Sequence, residues 1–255
     1  MKLCDTLAGW RAFRAPLGGR VGFVPTMGCL HAGHASLVAR SLQECDHTIL
    51  SIFVNPAQFN DPKDLEHYPR TLDADLALAR ELGVDAVLLP APAMLYPDGY
   101  AYRVQEMEFS TSLCGASRPG HFTGVLTVVM KLLNLVQPTR AYFGEKDHQQ
   151  LELIRGMAAA FFMNVEIVGC VTVRDADGLA LSSRNRLLDA KARQTALGLV
   201  GALREARSDE EAIQRLTHSG LVVDYVETRG GRRYAAVRVE TPSGIVRLID
   251  NLELS

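Results

Sequence analysis

Short, almost uninterrupted apolar runs recur along the first two-thirds of the chain, at 21–24, 48–54, 86–89, 140–143 and 165–170. Between them the apolar positions change to a spacing of three or four, at 34–45, 71–82, 123–136 and 147–162. Short runs bounded by turn residues read as strands buried on both faces, and the longer periodic stretches as helices. In 71–82, Leu72, Leu76, Ala79 and Leu82 keep one apolar face, and Gly83 stands where a helix end takes a left-handed residue. In 123–136 the stripe is Val125, Val128, Val129, Leu132, Leu133 and Val136, with Pro138 just beyond. This alternation predicts an α/β fold, a Rossmann-like doubly wound parallel sheet, over residues 1–172. Past residue 172 a polar loop, 174–186, leads into an Ala/Leu/Arg-rich helical stretch at 189–207 and strand-like segments at 222–228, 234–240 and 245–249. These predict a small α+β lid domain over 173–255, hinged near residue 172.

Open parallel sheets bind ligands beyond the carboxyl ends of their strands. Three polar segments fall there: the turn after the first run, Asn55-Pro56-Ala57-Gln58-Phe59, and Gly144-Glu145-Lys146-Asp147. The turn consists of Pro25, Thr26, Met27, Gly28, Cys29, Leu30, His31, Ala32, Gly33 and His34. A helical pattern begins at Gly33, so the turn is expected to offer free backbone amides and a positive dipole end to an anion. Gly28 and Gly33 would let that backbone approach without a Cβ in the way. His31 and His34 lie three apart and can face one site, where they would bind phosphate and stabilise departing pyrophosphate. A metal site needs at least a third ligand, which this segment lacks, so no metal ligand is assigned.

Lys146 can set its ammonium on a phosphate, while Asp147 either caps the next helix or meets a ligand. Gln58, Gln149 and Gln150 suit a ligand rich in hydroxyls and carboxylate, and Asn55 is either a site or a turn residue. In the 174–186 loop, Ser182, Ser183 and Arg184 form a mobile anion clamp, two hydroxyls beside a guanidinium fork. The segment Arg118-Pro119-Gly120-His121-Phe122 is either a substrate-facing loop or a rigid turn feeding the next helix.

Charge and cysteine content narrow the setting. With 27 basic and 29 acidic residues the net charge of −2 gives no bulk attraction to nucleic acid. Five scattered cysteines without CxxC spacing read as reduced thiols of a cytoplasmic protein. The amino terminus lacks a signal-peptide core, and no apolar stretch is long enough for a membrane span.

Taken in order, FVPTMGCLHAGH, FVNPAQF, YPRTL, SRPGHFTGVLTVVMKLLNLV, FGEKDHQQL and RDADGLALSSRNRLL resemble the pantoate–β-alanine ligases, within the HIGH-type nucleotidylyltransferase superfamily. HxGH alone would name only the superfamily; GEKDxQQ and SSRN beside it are specific together. The ending Arg247-Leu248-Ile249-Asp250-Asn251 is also similar to the family's. The resemblance implies ATP-dependent condensation of (R)-pantoate with β-alanine through a pantoyl adenylate, giving pantothenate, AMP and pyrophosphate, with Mg²⁺ accompanying ATP. It implies ATP contacts from Pro25 to His34, at Gly144, Glu145, Lys146, Asp147 and Val173, and at Leu181, Ser182, Ser183 and Arg184. His34 takes the family's proton-donor position; His31, Lys146, Ser182, Ser183 and Arg184 would share the catalytic work. Gln58 and Gln150 would hold pantoate, Gln58 also lying near β-alanine. Leu181 replaces the family's usual methionine, and the C-terminal region is expected to be short for the family. A homodimer is the family expectation. Two alternatives remain at this point: another HIGH-type nucleotidyltransferase, and a non-catalytic nucleotide-binding paralogue.

Overall fold

A computed structural model describes residues 1–60 and 62–254 of the chain. Six strands form one sheet: β1 (Lys2–Cys4), β2 (Val21–Thr26), β3 (His47–Ile52), β4 (Ala86–Leu88), β5 (Arg140–Gly144) and β6 (Glu166–Cys170). Their order is β1-β4-β3-β2-β5-β6, and every pairing is parallel. Helices cover it: α1 (Leu7–Arg14), α2 (Ala32–Glu44), α3 (Pro62–Glu66), α4 (Leu72–Glu81), α5 (Pro92–Leu95), α6 (Cys114–Ser117), α7 (His121–Val136) and α8 (His148–Ala160). From β2 the chain winds outward through β3 to β4, then returns to place β5 on the other side of β2. The switch point therefore lies between the carboxyl ends of β2 and β5, where such sheets open a crevice.

The periodicity located the central elements to within a few residues, and local chemistry explains the ends. After α4, Gly83 at φ +85° lets its own N–H reach Arg80 O and the Val84 N–H reach Ala79 O, a Schellman stop. Leu72 departs from the expected stripe and is 45% exposed. Helix α7 is largely buried, with Val125, Leu126, Val128, Val129, Leu132, Leu133 and Val136 packing into the main core.

The remaining residues form α9 (Ala190–Glu205), α10 (Asp209–His218) and the antiparallel strands β7 (Val222–Arg229), β8 (Arg232–Thr241) and β9 (Gly244–Glu253). They enclose a second apolar cluster around Leu199, Leu216, Val237 and Leu248. Elements β1, α1, α3, α5, α6 and α10 escape the pattern reading: β1 has three residues, α3, α5 and α6 have four or five, and α10 is announced by its cap. There Ser208 Oγ accepts from the Glu211 N–H while the Glu211 carboxylate accepts from the Arg207 N–H.

Candidate active site

At the carboxyl end of β2 the Thr26 hydroxyl donates to Ser51 O at 2.8 Å and accepts from the Gly28 N–H at 3.1 Å. Gly28 (φ +80°) and Cys29 (φ +52°) then reverse the chain. What holds the reversal is Asp75, buried in α4. Its two carboxylate oxygens accept from the Cys29 N–H at 2.9 Å and the Leu30 N–H at 2.7 Å, and from the Thr71 hydroxyl at 3.2 Å. A Cβ at position 28 would crowd Asp75 Oδ2 at 3.0 Å and Ile52 Cγ2 at 3.1 Å on a backbone at φ +80°, so the tight space and the left-handed conformation together favour glycine.

The histidines come next, as a capping box. His31 Nδ1 accepts from the Gly33 N–H at 3.1 Å, and His34 Nδ1 accepts from the His31 N–H at 3.3 Å. The rings stack at 4.1 Å between centroids. An accepting Nδ1 carries no proton, so each neutral ring keeps its hydrogen on Nε2. Burial, then the neighbouring His31 and Lys146, holds His34 down at about 3; burial, then Lys146 and Arg186, lowers His31. Both are uncharged N–H donors at neutral pH. The turn thus differs from the sequence expectation, because the amides of Gly28, Cys29, Leu30, His31 and Gly33 are bonded to the protein's own side chains. A Cβ on Gly33 would meet the His31 ring at 2.8 Å, so this glycine serves the cap.

Beyond β5 the 3₁₀ turn Glu145–Asp147 carries Lys146, whose Nζ lies 3.9 Å from Asp147 Oδ1. Asp147 occupies the cap position of α8 but makes no side-chain cap, so the purely structural reading of it does not hold. The turn is tied from behind: Asn251 Nδ2 donates to Glu145 O and Lys146 O, both at 2.9 Å.

Beyond β3, Asn55 is buried with its amide fully engaged. Its Oδ1 accepts from the Tyr96 hydroxyl at 2.7 Å and the Ala57 N–H at 3.3 Å; its Nδ2 donates to Gln58 Oε1 at 3.1 Å and Gly124 O at 3.2 Å. That bond orients Gln58, whose Nε2 lies 3.0 Å from Met27 Sδ. Asn55 is therefore both the turn cap and the holder of Gln58. The glutamines after Lys146 divide: Gln149 is a core clamp on Cys114 N, Phe109 O and Ser112 O, whereas Gln150 lines the cleft.

From the far side, Ser182 Oγ accepts from the Arg184 N–H at 3.3 Å and opens the 3₁₀ turn Ser183–Leu187. Arg184 pairs with Asp64 at 2.9 Å, and Ser183 Oγ lies 3.5 Å from the Tyr68 hydroxyl. The first half of the 174–186 loop turns away. Arg174 makes a two-pronged pair with Asp250 (2.6 and 3.0 Å), and Asp175 and Asp177 both pair with Arg193.

These segments enclose a cleft of about 270 Å³. Of the residues singled out in the sequence, Pro25, Thr26, Met27, His31, Gly33, His34, Asn55, Gln58, Phe59, Arg118, His121, Gly144, Lys146, Asp147, Gln150, Val173, Leu181, Ser182, Ser183 and Arg184 line it. Gly28, Cys29, Leu30, Ala32 and Glu145 are not among its lining residues. Sequence reasoning missed Asp75, Asp64, Tyr96 and the role of Asn251. Asp75 had a signal: at helical spacing it shares the face of Ala79, and an acid on an apolar stripe asks for buried partners.

An open parallel sheet with imidazole, ammonium, hydroxyl and guanidinium groups around its switch point defines an α/β protein whose cleft is lined with hydrogen-bond donors and cations. The chain belongs to the pantoate-beta-alanine ligase family, whose pattern matches residues 2–253. It is 53% identical over 245 residues to the pantothenate synthetase of Bdellovibrio bacteriovorus, covering 96% of both chains. To that of Legionella pneumophila it is 51% identical, covering 98% of this chain and 99% of the relative. Among solved structures, the pantoate-beta-alanine ligase of Francisella tularensis, complexed with beta-gamma ATP and β-alanine, is 39% identical with a TM-score of 0.94. The match spans 99% of this chain and 97% of that one. The pantothenate synthetase of Thermus thermophilus is 42% identical, with a TM-score of 0.88 over 99% of both chains. Relatives are thus matched along nearly their whole length, and the C-terminal region is not short beside them.

Proposed function

We propose that this chain condenses (R)-pantoate with β-alanine at the expense of ATP, forming pantothenate, AMP and pyrophosphate. The observation that carries the reading is the pair of neutral imidazoles held by their Nδ1 atoms, with Lys146 and Ser182–Arg184 on the same cleft. In the first step a pantoate carboxylate oxygen attacks the α-phosphorus and pyrophosphate leaves. His31 and His34 then donate from Nε2 to phosphate oxygens, while the charges of Lys146 and Arg184 and the hydroxyls of Ser182 and Ser183 offset the negative charge that develops. Gln58 and Gln150 orient pantoate, with Gln58 also close to β-alanine. In the second step the β-alanine amine attacks the acyl carbon, an amine proton is released and AMP departs. The demands are positioning and charge stabilisation, which a pre-ordered turn meets without rearrangement.

Mg²⁺ enters with ATP as part of that substrate. Asp147 is the carboxylate on the cleft wall beside Lys146, and such an ion needs only one or two carboxylates besides phosphates and water. We assign residues 1–172 to the nucleotide- and pantoate-binding domain and 173–255 to a lid, on the strength of the separate apolar cluster beneath Leu199 and Val237. A homodimer is the assembly proposed here, and sedimentation reads it; a cytoplasmic setting accords with five free thiols.

Purified protein given Mg²⁺, ATP, pantoate and β-alanine should release AMP and pantothenate only when all substrates are present. ATP binding without turnover would return the reading to a non-catalytic paralogue.

A further inference from the structure

Among the described residues, the cleft holds one cation that the proposed adenylation leaves unused. Arg118, half-buried, lines the cleft just before α7. Its Nη2 donates to Gln58 O at 3.2 Å and its Nη1 to His121 Nε2 at 3.2 Å. His121 is set for this: its Nδ1 donates to the same Gln58 carbonyl at 2.8 Å, which leaves Nε2 free to accept. The Asn60 amide bonds Pro119 O, so the two loops form one wall. Both of Arg118's hydrogen-bond partners are neutral, and among the described residues no carboxylate lies within ion-pair distance of it. Arg184 beside it already has Asp64, and Arg247 has Asp224 at 2.7 Å. Burial, followed by the charges of Arg184 and Arg247, lowers the Arg118 guanidinium to about 10. A cation held in such a place is stabilised by an anion brought from outside.

We infer that Arg118 is the subsite for the carboxylate of the amine substrate, selecting an amino acid over a simple amine. The assignment rests on the ligase reading above. That reaction brings three anionic groups into the cleft, and they differ in fate. The triphosphate belongs with His31, His34, Lys146 and Arg184. The pantoate carboxylate must reach the α-phosphorus and loses its charge when the mixed anhydride forms. The β-alanine carboxylate keeps its charge through both steps and needs a cation away from the phosphates. Arg118 is anchored on the backbone of Gln58, the residue proposed to lie between pantoate and β-alanine, and its remaining N–H groups are free to form a fork with a carboxylate.

The test pairs a variant with an altered substrate. Pantoate-dependent exchange of pyrophosphate into ATP reads the first step alone, and pantothenate formation reads both. Arg118→Gln should raise the KM for β-alanine by about 10- to 150-fold, the loss expected for a charge-assisted contact, and affect exchange far less. The wild-type preference for β-alanine over β-alaninamide, which lacks the negative charge, should largely vanish in the variant. An unchanged KM, a preference that persists, or equal losses in exchange and ligation would overturn the assignment; equal losses would make Arg118 a support for Gln58. The wild type supplies a check that does not depend on the variant's folding, since equal use of β-alanine and β-alaninamide refutes the subsite directly. Absence of any wild-type exchange would instead defeat the ligase reading, and the subsite with it.

Discussion

Asn251, in the last strand, donates from Nδ2 to the backbone carbonyl of Lys146 at 2.9 Å, and equally to that of Glu145. The end of the chain thereby fixes the turn that carries the cleft ammonium. Beside it Asp250 accepts the fork of Arg174, and the Tyr234 hydroxyl lies 2.9 Å from His148 Nδ1 at the start of α8. The antiparallel sheet is thus joined through these polar contacts to the edge of the parallel one that carries Lys146.

Removing that tie should loosen Lys146 without touching the pantoate side. Asn251→Ala is expected to cost about 1–3 kcal/mol of stability, since two carbonyls lose a donor. It should raise the KM for ATP several-fold and leave the KM for pantoate nearly unchanged. Urea denaturation and pyrophosphate exchange measure the two effects, and a rise confined to pantoate would contradict the assignment.

Asp75 acts on the opposite wall. Asp75→Asn keeps the volume but turns one acceptor into a donor facing an amide. Adenylate formation should fall at least about tenfold and stability by about 2–3 kcal/mol, as for a lost charged hydrogen bond in a buried place. An Asp75→Asn protein as active as the wild type would show that the turn holds its shape without the carboxylate.

Arg184 is paired with Asp64 at 2.9 Å, and a bound phosphate would compete with that carboxylate for the guanidinium. Exposed pairs of this kind contribute about 0.2–1 kcal/mol, so Asp64→Asn should tighten ATP by no more than about fivefold. The gain should shrink as salt is raised, which calorimetric titration at two ionic strengths would read.

His34 and His121 contribute to the acid response. Burial, first for both, holds each at about 3, against 6.5 for the unperturbed group. Between those values the unfolded chain takes up protons that the native one refuses, so their contribution is complete above about pH 6.5 and is lost as the pH falls towards 3. Each ring contributes at most about 1.4 kcal/mol per pH unit across that window. Denaturation of His121→Gln at pH 7.5 and 5 should show a smaller loss than the wild type. Adenylate formation should show no inflection near pH 6.5 assignable to His34, because the ring is already neutral there.

Much of this protein is written locally. The parallel sheet follows from short apolar runs alternating with 3.6-residue periodicity, because burial on both faces and burial on one face leave different spacings in a chain. The strand ends then bring the His31–His34 turn, Gln58 and Lys146 to one edge. What spacing does not contain is who bonds whom. Gln149 and Gln150 are adjacent and chemically identical, yet a helix turns successive side chains about 100° apart, so one enters the core and the other the cleft. The amides of Cys29 and Leu30 looked free to bind phosphate until α4 brought Asp75 against them from 45 or more residues away. Asn251 reaches Lys146 across 105 residues. A sequence by itself determines which elements form and which chemical groups stand at their ends. Only packing decides which of those groups are consumed by the protein and which are left for a ligand, since each hydrogen-bonding group has few places and the fold fills them first.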